Sequence, residues 1–289
     1  MIRVQLNGPI DLDGFRQAAR RLVAAGATPD EVSWRTDEEA PTLWDAADDG
    51  LDAPGDADAL TACADDAVKR STIRVPADFL RLCQATLLNR DPQRFDLLYR
   101  LLFRLQQDGG RWDPLDPERR RAEQLAREVR HEIHKMHAFV RFVPVQDDDG
   151  ERHVAWFEPE HHIVEAASPF FARRFANMRW AILSPRCSVS WDGRQLMTGP
   201  GARREQAPTP DAGAALWLTY YRSIFNPARL KIAMMEKEMP RRYWPNLPEA
   251  ALIEPLIAEA AQRTQTMITA DPSEPRRIRA IPAARRGAR

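Results

Sequence analysis

The 289-residue chain has little of what usually announces a chemistry. Cysteine occurs three times, at Cys63, Cys83 and Cys187, with no Cys-x-x-Cys pair. That argues against a disulfide framework and against a thiolate zinc site, and leaves buried or idle thiols. There is no GxxxxGK[ST] or GxGxxG loop, the nearest approach being "GPG" at 199–201, so a P-loop nucleotide triphosphatase and a Rossmann dehydrogenase are disfavoured. No GxSxG elbow is present either. No apolar run approaches the roughly 18–20 residues a membrane-spanning helix needs. The opening "MIRVQLNGPIDLDGF" lacks the basic-then-apolar order of a signal peptide, and the expectation is a cytoplasmic protein with no membrane partner.

Lysine is scarce too. Only Lys69, Lys135, Lys231 and Lys237 contribute to the 42 basic residues, and the arginine excess is consistent with a GC-rich coding bias. Clustering of arginine therefore says more about partners than its abundance. The net charge of zero hides a gradient: residues 1–70 carry 15 acidic and 7 basic side chains, residues 71–145 carry 10 and 14, and residues 211–289 carry 8 and 13. The acidic end is N-terminal, with basic surface beyond it.

What is present reads as α+β, with helices packed on a small, mostly antiparallel sheet. "IRVQL" alternates as a strand, and "DLDGFRQAARRLVAAG" follows as a helix stopped at Gly26, giving an N-terminal strand-helix extension over residues 1–35. Residues 36–70, rich in Asp, Ala, Pro and Gly, read as an acidic flexible connection. A main domain over 71–270 opens with two helices at 3.6-residue spacing, broken by "NRDP" with Asp91 as an N-cap and Pro92 as the first helical residue. A third helix starts at "DPERRR". The period then drops to two: "AFVRFVPV" and "RHVAWFE" flank a polar turn, and "RWAILSP", "CSVSW" and "RQLMTG" extend the sheet. "SPFFARRFANM" reads as a helix capped by Ser168 with Pro169 in the first position, and "DAGAALWLTYYRSIF", "PARLKIAMMEKEM" and "PEAALIEPLIAEAAQRTQTMI" add helices. Residues 271–289 read as a basic disordered tail, with six arginines against two acids.

All six histidines fall between His131 and His162, three of them in "HEIHKMH". A zincin helix needs His at i and i+4, but Lys135 stands four residues after His131. The actual steps of three leave His131 and His137 roughly 120° apart around a helix, so all three do not easily share one ion. No cofactor is predicted, and a metal at His134, Glu158 and His161 is the lesser reading. Those three residues are the catalytic candidates, with His162 beside them, since clustered carboxylates and imidazoles supply general acid and base groups. Interleaved aromatic and basic residues support nucleic-acid binding instead. If "FVRF" is a strand, Phe139 and Arg141 share one face while Val140 and Phe142 share the other, and "FFARRF" and "YWPNLPE" add Phe170, Arg173, Arg174, Tyr243 and Trp244.

The blocks "REVRHEIHKMHAFVRF", "VAWFEPEHHIVEAASPFFARRFANMRWAILSP", "WDGRQL" and "LWLTYYRSIFNPARLKIAMMEKEMPRRYWPNLPE" resemble a bacterial family of unknown function linked to DNA metabolism and DNA repair. "RFDLLYRLLFRLQ" belongs to the same pattern, and the resemblance runs from about residue 73 to 270. Its densest motifs fall on His134, Lys135, Met136, Arg141, Trp156, Glu158, His161, Asn226, Arg229, Tyr243 and Trp244. Residues 1–35 resemble the N-terminal extension of longer relatives that end in a uracil-DNA glycosylase-like module. The chain reaches Arg289 without such a module, so that module's uracil chemistry is not carried over. The resemblance implies a DNA partner and an accessory role beside a radical-SAM DNA-repair protein or a glycosylase-like protein. On that reading Lys135, Arg141, Arg173, Arg174 and Arg229 contact phosphate, while Trp156, Tyr243 and Trp244 are stacking candidates. An enzyme acting on a nucleic-acid base or backbone and a protein-interaction scaffold are the alternatives.

Overall fold

The chain begins as a β-α-β unit. Strand β1 (Ile2–Leu6) and strand β2 (Val32–Thr36) pair in parallel, joined through helix α1 (Leu12–Ala24). Asp11 caps α1 by accepting the Gly14 N–H at 2.8 Å. Gly26, at φ +73°, turns the chain out of the helix where a side chain would be strained. This computed structural model describes residues 1–36, 73–107, 112–148, 150–208 and 232–269, with Gly109 and Leu218. The acidic connection expected over 36–70, apart from Thr36, the helix expected over "DAGAALWLTYYRSIF", apart from Leu218, and the tail lie outside the described residues.

Helices α2 (Ala77–Thr86), α3 (Arg94–Gln107) and α4 (Pro117–Phe139) follow. The β-α-β unit shares one core with them rather than standing apart: Phe15, Trp34, Phe95 and Tyr99 interlock with ring centroids 4.9–6.2 Å apart. The Tyr99 hydroxyl also donates to the Ala27 carbonyl at 2.8 Å. Asp91 lies in the turn before α3, accepting the Gln93 N–H at 2.9 Å, and Pro92 precedes the helix proper. Asp116 caps α4 through the N–H groups of Glu118 and Arg119, with Pro117 in the first position.

A five-stranded sheet, ordered β3 (Val143–Asp147), β4 (Gly150–Trp156), β5 (Trp180–Leu183), β6 (Cys187–Trp191), β7 (Leu196–Pro200), forms the second layer. It is antiparallel except for β4 and β5, which run parallel and are connected by helix α5 (Val164–Arg174). The architecture is α+β. Phe142 packs edge to face or tilted on Phe171, Phe175 and Trp180, and Phe171 packs edge to face on Trp180. Two local expectations give way here. Phe139 is the last helical residue of α4 and the strand starts only at Val143, so "FVRF" has no alternating faces. Helix α5 begins at Val164, which puts Ser168 and Pro169 inside it. Ser168 is buried and donates back to the Val164 carbonyl at 2.6 Å, and Pro169 is tolerated at an exposed position.

The chain divides into two compact units, Met1–Asp211 and Ala212–Arg289. The second contains α6 (Ile232–Glu238), a 3₁₀ turn at Arg241–Asn246 and α7 (Ala250–Thr269). Among the described residues no helix is long and apolar enough to cross a membrane.

Candidate functional site

Two parallel strands leave their carboxyl ends side by side, and in open sheets this is where ligands bind. The loop after β4, residues 157–163, and the loop after β5, residues 184–186, meet there with the β1–α1 and α2–α3 connections. Together they line a cleft of about 470 Å³. Its walls carry Glu158, Glu160, His161, His162, Glu165, Arg90, Arg186, Ser184 and Cys187, with Ile10, Pro159, Ile163 and Pro185 as apolar surface. Arg90 and Arg186 are exposed.

The 157–163 loop is held by its backbone. The carboxylate of Glu132, on α4 and 1% exposed, accepts the N–H of Glu160 at 2.9 Å and of His161 at 2.8 Å. His162 donates its N–H to the Leu88 carbonyl at 2.9 Å, and the Arg186 guanidinium donates to the Glu160 carbonyl at 3.1 Å. Phe157 N–H joins the Leu183 carbonyl at 3.0 Å. Four elements thus fix one short loop, which places its side chains without help from a ligand.

Side-chain chemistry follows from that placement. His161 is buried, its Nδ1 accepts the Arg90 backbone N–H at 3.4 Å, and burial keeps its imidazole below the usual range despite the opposing pull of Glu132, Glu160 and Glu128. His162 is pushed down to about 4 by burial, then by Arg186, Arg94 and His161. Glu158 is exposed, and one of its oxygens accepts the Trp156 indole N–H at 2.5 Å. Arg90 approaches Glu160 at 4.0 Å. Beneath the loop, buried Arg94 donates to the carbonyls of Leu87, Asp91 and Pro9.

Of the catalytic candidates, Glu158 and His161 meet in the cleft. His134 does not line it and stays exposed on α4. His131 is also exposed, while His137 stacks on Phe170 at 4.0 Å. Among the described residues no three His, Cys, Asp or Glu side chains group so as to hold a metal ion. The expected nucleic-acid contacts divide. Arg173 and Arg174 are exposed at the C-terminal end of α5, and Arg141 is half-buried, donating to the carbonyls of Ala138 and Val140. Lys135 is 2% exposed, so it does not present its ammonium at the surface as a phosphate contact requires. Trp156 is buried with its indole tied to Glu158 and Arg204 lying 5.3 Å from its ring, which leaves no open face for a base. In the second unit Tyr243 is 2% exposed and its hydroxyl accepts from Arg242 at 2.6 Å, so it too lacks a free face. Trp244 is half-buried, donating to the Met239 carbonyl with Arg241 near its ring. Asn226 and Arg229 lie outside the described residues.

Glu132, Arg90 and Arg186 were not singled out by motif. For Glu132 a signal existed: the buried face of α4 runs Ala122, Leu125, Val129, then Glu132 and Met136, in steps of three and four. A carboxylate standing where the core spacing calls for carbon is the mark of a buried polar task.

No curated protein and no solved structure matches the chain. A family model described as a domain of unknown function, DUF4130, matches residues 92–249, more than half the chain and the stretch that builds α3, α4, the sheet and most of the cleft. The chain therefore belongs to the DUF4130 family.

Proposed function

We propose that the protein is a cytoplasmic DNA-metabolism accessory that holds one nucleotide of a DNA strand in the cleft between the β4–α5 and β5–β6 loops, beside a radical-SAM or uracil-DNA glycosylase-type partner. The observation that carries the reading is the prebuilt loop. Glu132, Leu88, Arg186 and Leu183 fix the backbone of residues 157–162, so that imidazole and carboxylate groups line a concavity edged by the exposed guanidinium groups of Arg90 and Arg186. Its volume lies within the roughly 300–1,000 Å³ of small-ligand pockets, room for one nucleotide and not for a duplex. The resemblance of the surrounding blocks to DNA-linked proteins supports nucleic acid as the ligand, and Arg173 and Arg174 add exposed positive charge on α5.

Fluorescence anisotropy of a labelled single-stranded oligonucleotide, measured across salt concentration, tests the reading. Affinity falls as salt rises, and Arg90→Ala and Arg186→Ala each reduce the logarithmic slope by about 0.7. Binding that ignores salt, or no binding to either single or double strands, overturns it. A catalytic reading is favoured by one observation, that buried His161 and Glu158 line the same cleft. It expects turnover of a modified-base substrate that His161→Ala abolishes.

A further inference from the structure

The hydrogen-bonding state of His161 restricts what the cleft can take. Its Nδ1 accepts a backbone N–H, so in the neutral ring the proton sits on Nε2. That N–H has no acceptor among the described residues, and His161 lines the cleft. The Nε2–H is therefore a donor available to a ligand in the cleft. Three residues before it, Glu158 lines the same cleft and carries an acceptor. One carboxylate oxygen is oriented by the Trp156 indole, and the other has no partner among the described residues.

The charge balance decides against an anion. Glu158, Glu160 and Glu165 line the cleft against Arg90 and Arg186, so a phosphate inside it meets more like charge than opposite. A ligand that suits the wall is uncharged and flat enough for Ile10, Pro159 and Pro185, with a carbonyl oxygen next to an N–H. The lactam edge of a keto nucleobase has that order of groups: thymine, uracil and guanine place a ring N–H beside a carbonyl. Adenine has no carbonyl, and cytosine separates its carbonyl from its amino group by an acceptor nitrogen.

Resting on the nucleic-acid reading above, we propose that the cleft is a nucleobase site selective for keto bases, in which His161 Nε2–H donates to the base carbonyl and Glu158 accepts the adjacent ring N–H. The sugar and phosphate then stay toward Arg90 and Arg186. The site discriminates bases by donor-acceptor order, and an amino base leaves His161 or Glu158 unmatched.

The test uses the full chain with ¹⁵N-labelled histidine, titrated separately with thymidine, deoxyguanosine, deoxycytidine, deoxyadenosine and inorganic phosphate, none of the nucleosides carrying phosphate. Saturable movement of the His161 Nε2 resonance is expected with thymidine and deoxyguanosine, with the two amino nucleosides weaker by about tenfold, one unmatched hydrogen bond. His161→Phe, which keeps a ring in place without a donor, weakens thymidine by a similar factor. His161→Gln retains a donor and serves where the Phe variant fails to fold. Equal binding of all four nucleosides, saturable movement with phosphate, or undiminished thymidine binding by His161→Phe overturns the proposal. If oligonucleotides bind with a salt slope while nucleosides leave Nε2 unmoved, base selection fails and the nucleic-acid reading stands. If neither binds, both fail.

Discussion

The two halves of α4 do opposite things with the same helical spacing. The first half buries Ala122, Leu125 and Ala126 against the N-terminal core, and the second half buries Glu132 and Lys135 beside Met136. Carbon on the first half gains by leaving water, at about 25 cal/mol per Å² of apolar area. Charge on the second half gains nothing by burial itself and is retained by what it bonds: Glu132 satisfies two backbone N–H groups of the cleft loop. One helix thus joins a stability region to a positioning region. The lesson is that a polar interruption in a regular apolar stripe marks where a fold turns from packing to function.

Each half of α4 can be disrupted separately. Glu132→Ala removes the acceptor of two buried amides, at about 1–3 kcal/mol each, so urea unfolding should show a loss of about 2–6 kcal/mol, and the Glu160 and His161 amides should exchange faster with solvent. Leu125→Ala should cost about 2–5 kcal/mol by urea unfolding, while those two amides keep their protection. Equal protection in both variants would mean the two halves are one unit.

A gentler probe is acid. His162 stays neutral in the folded chain down to about 4, whereas unfolded imidazole takes its proton near 6.5, so the unfolded state binds more protons between those values. The contribution of His162 to stability is fully present above about 6.5 and is lost as pH falls toward about 4. His162→Asn should therefore flatten the decline in urea midpoint between about pH 7 and about pH 4.5, and an unchanged decline would show that other groups set it.

Much of the fold was legible because local physics wrote it. Asp116 and Pro117 start α4 through a cap and a missing donor, Gly150 at φ +106° closes the β3–β4 hairpin, and the change of period from 3.6 to two marks the passage from helices to sheet. In "FVRF" and "SPFF" tertiary packing overrides the local signals. Phe139 finishes a helix, and Ser168 satisfies itself by bonding back to Val164 from inside α5. The site was legible only in part. Glu158, His161 and His162 are close in sequence and line one cleft, whereas His134 shares their segment but is exposed outside that lining.

By itself the sequence determined the α+β class, the caps and turns, and the local clustering of His161, His162 and Glu158, because these depend on neighbours a few residues apart. Only the tertiary structure decided that Arg90, from the α2–α3 connection, and Arg186, from the β5–β6 loop, join them, and that Glu132 rather than His134 supports the loop. It also decided that Lys135 and Trp156 turn inward. Those outcomes depend on contacts between elements separated by tens of residues, where periodicity fixes which positions share a face and packing alone fixes what that face meets.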